Sequence, residues 1–366
     1  MTLDVAVIGG GIVGTATAAF LAEAGLRVTL WERAAIGAGA SGRNSGVVQH
    51  PSDPVLVELY RESLAIYREL EGFELPAVPA GLLFLGLEPA PVEALTRQLA
   101  AAQPELRPEF LGPGEAARLE PALAPGVAAC RLEMGYPVPP AAATRAFAAR
   151  AERAGAEIRV GGDASVWRDG GRVAGVEADG ERLPAGSVVV AAGPWSPALV
   201  DPSGRWRPIR PLWGVVATID LPEPPGHVLE EGWIESEIDP GGEPSGVDFS
   251  LVSAAGSSSL GSTFLDDEPD LAAIVPRLVE HGARYVPAVV GAAILGVRAC
   301  ARPLSADGRP LVGRVPGSEG LWIAAGHGPW GISTGPASAR QIAAAILGDD
   351  GDLATATDPA RFGSPG

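Results

Sequence analysis

Residues 3–32 read LDVAVIGGGIVGTATAAFLAEAGLRVTLWE. Leu3 to Ile8 form a short apolar run, the pattern of a strand buried on both faces of a parallel sheet. Three glycines follow, then a helix of small residues stopped by Gly25. Arg27 to Trp31 returns to a strand and ends at Glu32. In the spacing Gly9-x-Gly11-x-x-Gly14, the first glycine permits a tight turn and the second lets backbone approach a pyrophosphate. The third lets the helix pack on the strand, and Ile12 and Val13 complete the loop. The helix N-terminus offers free N–H groups to the phosphates. Glu32, at the strand end, is placed to accept from a ribose 2′-hydroxyl and to repel a 2′-phosphate. The chain therefore opens with a β-α-β unit for a nucleotide.

A second such grammar closes it. Residues 321–347, LWIAAGHGPWGISTGPASARQIAAAIL, run from an apolar strand through a glycine loop into a helix. Pro336 suits a first helical turn, with Ser333 or Thr334 as cap. Between the two ends, SVVVAA at 187–192 reads as another buried strand and runs into GPWS. GAGASGRNSGVVQH at 37–50 is a polar loop, and Asp53-Pro54 caps a helix to about Gly72. Pro140 to Gly155 is an alanine-rich helix, and 158–176 alternates like a strand pair. Residues 206–298 alternate short apolar stretches with turns such as DPGGEPSG at 239–246, which suits an antiparallel sheet.

These patterns predict an α/β protein: a Rossmann-like nucleotide domain interrupted twice by an α+β substrate domain with an antiparallel sheet. The expected division is 1–75, 140–205 and 299–350 for the first domain, 76–139 and 206–298 for the second, and a tail at 351–366. A length of 366 residues suits two domains of about 100–200 residues. The net charge of −17 argues against nucleic-acid binding. All basic residues are arginine, which excludes Schiff-base and lysine-base chemistry. Two cysteines make no disulfide framework. A strand from Leu3 leaves no room for a signal peptide, and no apolar run predicts a membrane span. The expected location is the cytoplasm, and no metal site is expected.

Five stretches, in this order, carry a resemblance: VIGGGIVGTATAAFLAEAGLRVTLWER, GASGRN, VVVAAGPWS, ARPLSADGRPLVG and AAGHGPWGISTG. Together they resemble the D-amino-acid oxidase-like superfamily of FAD-dependent oxidoreductases, which includes glycine oxidases, sarcosine oxidases and D-amino-acid dehydrogenases. The resemblance implies a GR2-type FAD domain in which the first glycine loop holds the pyrophosphate and adenosine half. The C-terminal turn would return to the same sheet and hold the isoalloxazine ring. The implied cofactor contacts are Gly9, Gly11, Ile12, Val13, Gly14, Glu32 and Arg33. Ser41, Arg43, Asn44, Ser45 and Gly46 follow from the polar loop. Ala164 stands where the family's adenine-contacting backbone sits, and Ala192, Gly193 and Trp195 near the pyrophosphate, with Trp195 equally suited to packing under its loop. Gly326, Gly328, Trp330, Gly331, Ile332, Ser333 and Thr334 would meet the ring.

Arg302, in ACARPLSADG, matches the arginine that glycine oxidases and D-amino-acid dehydrogenases use to hold a substrate carboxylate. Its planar fork can make two parallel hydrogen bonds. Trp330 would wall the substrate pocket, as could Trp213 and Trp233, while Arg298 reads as structural. His50 and His327 are candidates for tuning the amine or the flavin. Cys300 falls where sarcosine oxidases attach flavin covalently, and it equally suits a buried apolar position. Two departures stand out: the sarcosine-oxidase lysines are missing, and Pro329 stands where glycine oxidases carry a second basic residue. The implied activity is oxidation of the CH–NH bond of a small amino acid (glycine, a D- or an N-methyl amino acid), with O2 or another acceptor taking the electrons. A 2-hydroxy-acid dehydrogenase, an NAD enzyme and a flavin-binding subunit of a larger dehydrogenase remain alternatives.

Overall fold

The computed structural model describes residues 2–170, 172–232, 246–349 and 355–365. Two eight-stranded sheets organise them. In the first, Leu3–Ile8 is central and parallel to Val28–Glu32 on one side and Glu181–Val190 on the other. Glu157–Val160 and Leu321–Ala325 extend the sheet outward, again in parallel. Leu311–Arg314 closes one edge antiparallel. Ala164–Asp169 and Arg172–Ala178 fold back on Glu181–Val190 as a meander. The chain runs to one side of Leu3–Ile8 and later returns to the other. Strand order therefore reverses at the carboxyl end of that strand, where sheets of this kind open a crevice.

Helices Ile12–Glu23, Ala142–Arg153 and Gly331–Ile346 cover one face. Their alanines, glycines and threonines let backbones approach closely, and Ile12–Glu23 is buried over nearly its whole length. The core there includes Leu30, Phe147 and Ile342. Gly14 shows why the motif demands glycine: a Cβ there would lie 1.9 Å from the Gly9 carbonyl oxygen.

The second sheet runs, in spatial order, Ala293–Ser305, Ile209–Asp220, Ser257–Gly261, Ser250–Ala254, Val228–Glu231, Leu82–Gly86, Ala128–Leu132 and Glu109–Leu111. It is antiparallel apart from the pairing of Val228–Glu231 with Leu82–Gly86. Its long outer pair places Leu212 opposite Arg302 and Gly214 opposite Cys300.

Three expectations need correction. Ala293–Ser305 is one unbroken strand across the anticipated boundary at 298/299, so Cys300 and Arg302 belong to the second sheet. Helix Pro54–Arg68 has the expected cap, since Asp53 accepts from Val55 N at 2.8 Å and Leu56 N at 3.3 Å, but it stops before Gly72. The C-terminal helix starts at Gly331, so Pro336 lies inside it and Ser333 and Thr334 are in its first turn, not its cap. Side chains make the early start possible: Thr334 donates to the Trp330 carbonyl at 2.8 Å, and Tyr67 donates to the Ile332 carbonyl. Trp233 and most of the turn at 239–246 lie outside the described residues.

Candidate active site

At the carboxyl ends of the first sheet lies a cleft of about 830 Å3, the size of a cofactor site. Gly9, Gly11, Ile12 and Val13 form its floor, with Glu32 and Arg33 at one end. Glu32 is held in place by the protein itself: it accepts from Gly10 N at 2.8 Å and from Ala34 N at 2.9 Å. Each carboxylate oxygen keeps a further lone pair. Ser41 accepts from Ile12 N at 3.0 Å, so the polar loop is tied to the start of the helix. Arg43 and Asn44 also line the cleft. Ala164, Ala192 and Gly193 wall it, and Trp195 stands at its edge, 42% exposed, with the Arg33 guanidinium 4.2 Å above its ring. Trp195 thus does not pack under its loop.

The far end of the cleft is made by His327, Gly328, Gly331 and Ile332, together with Cys300, Arg302 and Trp213 from the second sheet. There the N-terminus of helix Gly331–Ile346 arrives with no side-chain cap, so its first N–H groups and its positive dipole end face the site. His327 is 1% exposed and pairs with Ser338 Oγ at 2.9 Å. Burial pulls its pKa down to about 4, so the ring is neutral at pH 7.

A smaller cavity of about 90 Å3 opens beside this end, between the second sheet, the segment 44–49 and the start of helix Gly331–Ile346. Ser45, Ser333 and Trp330 line it, and Asn44, Cys300, Arg302, Pro329 and Ile332 border both spaces. Arg302 is fixed by donating Nη1 to Thr263 O at 2.8 Å and Nη2 to Ser262 Oγ at 2.9 Å, with its guanidinium 4.7 Å from the centre of the Phe264 ring. Gly214 makes room for it: a Cβ there would lie 2.4 Å from the guanidinium. Among the described residues Arg302 forms no ion pair, and burial pulls its pKa below the usual arginine value. Two residues away on the same face, Cys300 is 4% exposed, and burial pushes its thiol pKa up.

Other expected residues stand elsewhere. His50 lines neither space; it is buried against Tyr60, ring centres 5.0 Å apart, and its pKa is lowered by burial. Its neighbour Gln49 faces the cavity instead. The alternation of an extended segment explains the exchange, because Val47 and Gln49 share one side while Val48 turns into the core. Gly14, Gly46, Gly326 and Thr334 shape the turns and helix starts without reaching either wall. Arg298 ties the second sheet to the polar loop, donating to Asn44 O at 3.0 Å and Ser259 Oγ at 2.8 Å. Sequence reasoning missed Gly214, Ser262, Thr263, Phe264, Gln49 and Glu230. Only the alternation around Gln49 left a readable signal.

Among the described residues no helix is long and apolar enough to cross a membrane, and no cluster of three or more His, Cys, Asp or Glu could hold a metal. The cleft fits a long flavin dinucleotide: glycines floor one end, an acid stands at the end of the second strand, and an uncapped helix N-terminus marks the other end. This combination defines an FAD-dependent oxidoreductase. The chain belongs to the DAO family of FAD dependent oxidoreductases, which it matches over residues 4–345, and its cofactor is FAD. It is 30% identical to the glycine oxidase of Pseudomonas aeruginosa over 100% of both chains. The solved glycine oxidase of Geobacillus kaustophilus is 26% identical, with a TM-score of 0.83 over 99% of this chain and 98% of that one. An iminodiacetate oxidase structure from Chelativorans sp. BNC1 is 25% identical, with a TM-score of 0.80 over 99% and 98%.

Proposed function

We propose that this glycine oxidase-like flavoenzyme oxidises the C–N bond of a small amino acid held by its carboxylate on Arg302. One observation carries the reading: a half-buried guanidinium with no ion pair among the described residues stands where the cleft meets the cavity. A buried charge is expensive unless a partner compensates it, so the arrangement asks for an anion from outside. Thr263 and Ser262 take two of its N–H groups, and a guanidinium has five.

FAD, when bound, would supply the acceptor for a hydride from the α-carbon. Arg302 fixes the carboxylate and so sets which face of the α-carbon meets the cleft. Trp330 and Phe264 wall the cavity. The N-terminus of helix Gly331–Ile346 favours the negative charge that gathers as electrons arrive, by about 0.3–1 kcal/mol or more where partly buried. His327, neutral and tied to Ser338, serves as a fixture in that wall. The imine product then hydrolyses in water to an oxo acid and ammonia, or to a primary amine.

The test is the visible spectrum of the purified holoenzyme without air, before and after adding glycine, sarcosine, D-amino acids and D-proline. Bleaching of the yellow flavin is expected. Arg302→Met is expected to keep FAD and lose about 100-fold or more in kcat/KM, the effect of removing one partner of a buried charge pair. A holoenzyme that stays yellow with every amino acid would sink the proposal.

A further inference from the structure

The cavity is electrostatically lopsided. Arg302 is its cation, while Glu230, Glu231 and Asp248 are its anions. Glu231 is engaged away from the cavity: Tyr285 OH donates to its Oε1 at 2.5 Å, and His281 Nε2 pairs with its other oxygen. Glu230, next along the strand, points to the opposite side of the sheet. It is 5% exposed and accepts from Gln49 Nε2 at 3.0 Å. Gln49 is itself held, its N–H donating to Ser333 Oγ at 2.9 Å in the first turn of helix Gly331–Ile346. A buried carboxylate is thus fixed rigidly from both domains.

Position separates its role from that of Arg302. Arg302 borders both the flavin cleft and the cavity, whereas Glu230, Gln49 and Asp248 border the cavity only. The reacting C–N bond must face the cleft. A group that reaches Glu230 therefore belongs to the far end of the substrate. A carboxylate there accepts hydrogen bonds and carries negative charge, so it recognises a cation. About 90 Å3 is far more than a single water requires and leaves space beyond a bare glycine.

We propose that Glu230 is the distal anchor of the substrate site, and that the preferred substrate is a short amino acid with a second, non-reacting cationic group on its side chain. The inference rests on the carboxylate-on-Arg302 reading above. It predicts a two-point clamp: the substrate carboxylate on Arg302, the side-chain cation on Glu230, and the α-carbon between them at the mouth of the cleft. Asp248, close enough to act on Arg302 through its charge, adds to the same negative field.

The experiment compares anaerobic flavin reduction of the holoenzyme by racemic ornithine and by racemic norvaline, whose side chain is similar in length but uncharged. Ornithine is expected to have at least a tenfold higher kcat/KM. Glu230→Gln is expected to collapse that ratio to near one. A second measurement needs no variant: perturbation of the flavin spectrum by 5-aminopentanoate against pentanoate, with the amine expected to bind at least tenfold more tightly. If norvaline or glycine reduces the flavin and ornithine has no advantage, the distal anchor is overturned and the Arg302 reading stands. A ratio unchanged in Glu230→Gln likewise overturns it. If no amino acid reduces the flavin, both readings fall.

Discussion

The hydroxyl of Tyr67 donates to the backbone carbonyl of Ile332 at 2.6 Å, and that carbonyl is the one Pro336 leaves without a helical donor. A proline four residues on has no N–H to return. Tyr67 is buried, and burial pushes its pKa above the usual tyrosine range, so the phenol keeps its proton. One phenol therefore allows the C-terminal helix to begin at Gly331, with its N-terminus on the active site. Tyr67→Phe should destabilise the fold by about 1–3 kcal/mol by stranding the carbonyl. Pro336→Ala restores an N–H, so in the double variant the Tyr67→Phe penalty should shrink. Denaturant melts of the four proteins of this cycle measure the coupling.

Gly214 and Arg302 are linked by space. Gly214→Ala puts a methyl group 2.4 Å from where the guanidinium lies. The arginine must move, while the glycine loop and Glu32 of the flavin cleft are untouched. We expect the variant to stay yellow, with amino-acid kcat/KM down by about 10- to 1,000-fold, as for a misplaced orienting group. Arg302→Lys should not rescue activity, because a lysine has neither the planar fork nor the stacking on Phe264. Stopped-flow reduction rates would check both.

Acid should weaken the fold through His327. Its folded pKa is about 4, against an ordinary value of 6.5. Between those values the unfolded chain takes up a proton that the folded one refuses, so stability is full above pH 6.5 and falls as pH drops toward 4. The loss is of order 3 kcal/mol. His50, also lowered by burial, acts with the same sign. Denaturant unfolding at fixed FAD from pH 8 to pH 4 should show the slope, and His327→Asn should flatten it.

Glu32 ties the glycine loop to the second strand through Gly10 and Ala34. Glu32→Ala should weaken FAD binding by about 10- to 100-fold, matching one or two lost charge-assisted hydrogen bonds. Apoprotein titrated with FAD by fluorescence gives the ratio directly.

The sequence by itself determined the first sheet and the course of the cofactor cleft. The β-α-β unit from Leu3 to Glu32, the strand before Gly193 and the closing turn before Gly331 depend on short-range rules: apolar runs, glycine steric need and helix starts. Such rules act within a few residues, so they can be read from the chain. Arg302 could be singled out as a candidate because its motif is local too. Other features were set by neighbours distant in sequence. Gly214 and Arg302 are 88 positions apart, Gln49 and Glu230 are 181 apart, and Tyr67 and Ile332 are 265 apart. Only the pairing of strands and the packing of helices brings them into contact. The helix start at Gly331 was misread for the same reason, since the carbonyl that Pro336 leaves without a helical donor is met here by a hydroxyl remote in sequence. Periodicity and local steric demands belong to the sequence; who faces whom across a cavity belongs to the tertiary fold.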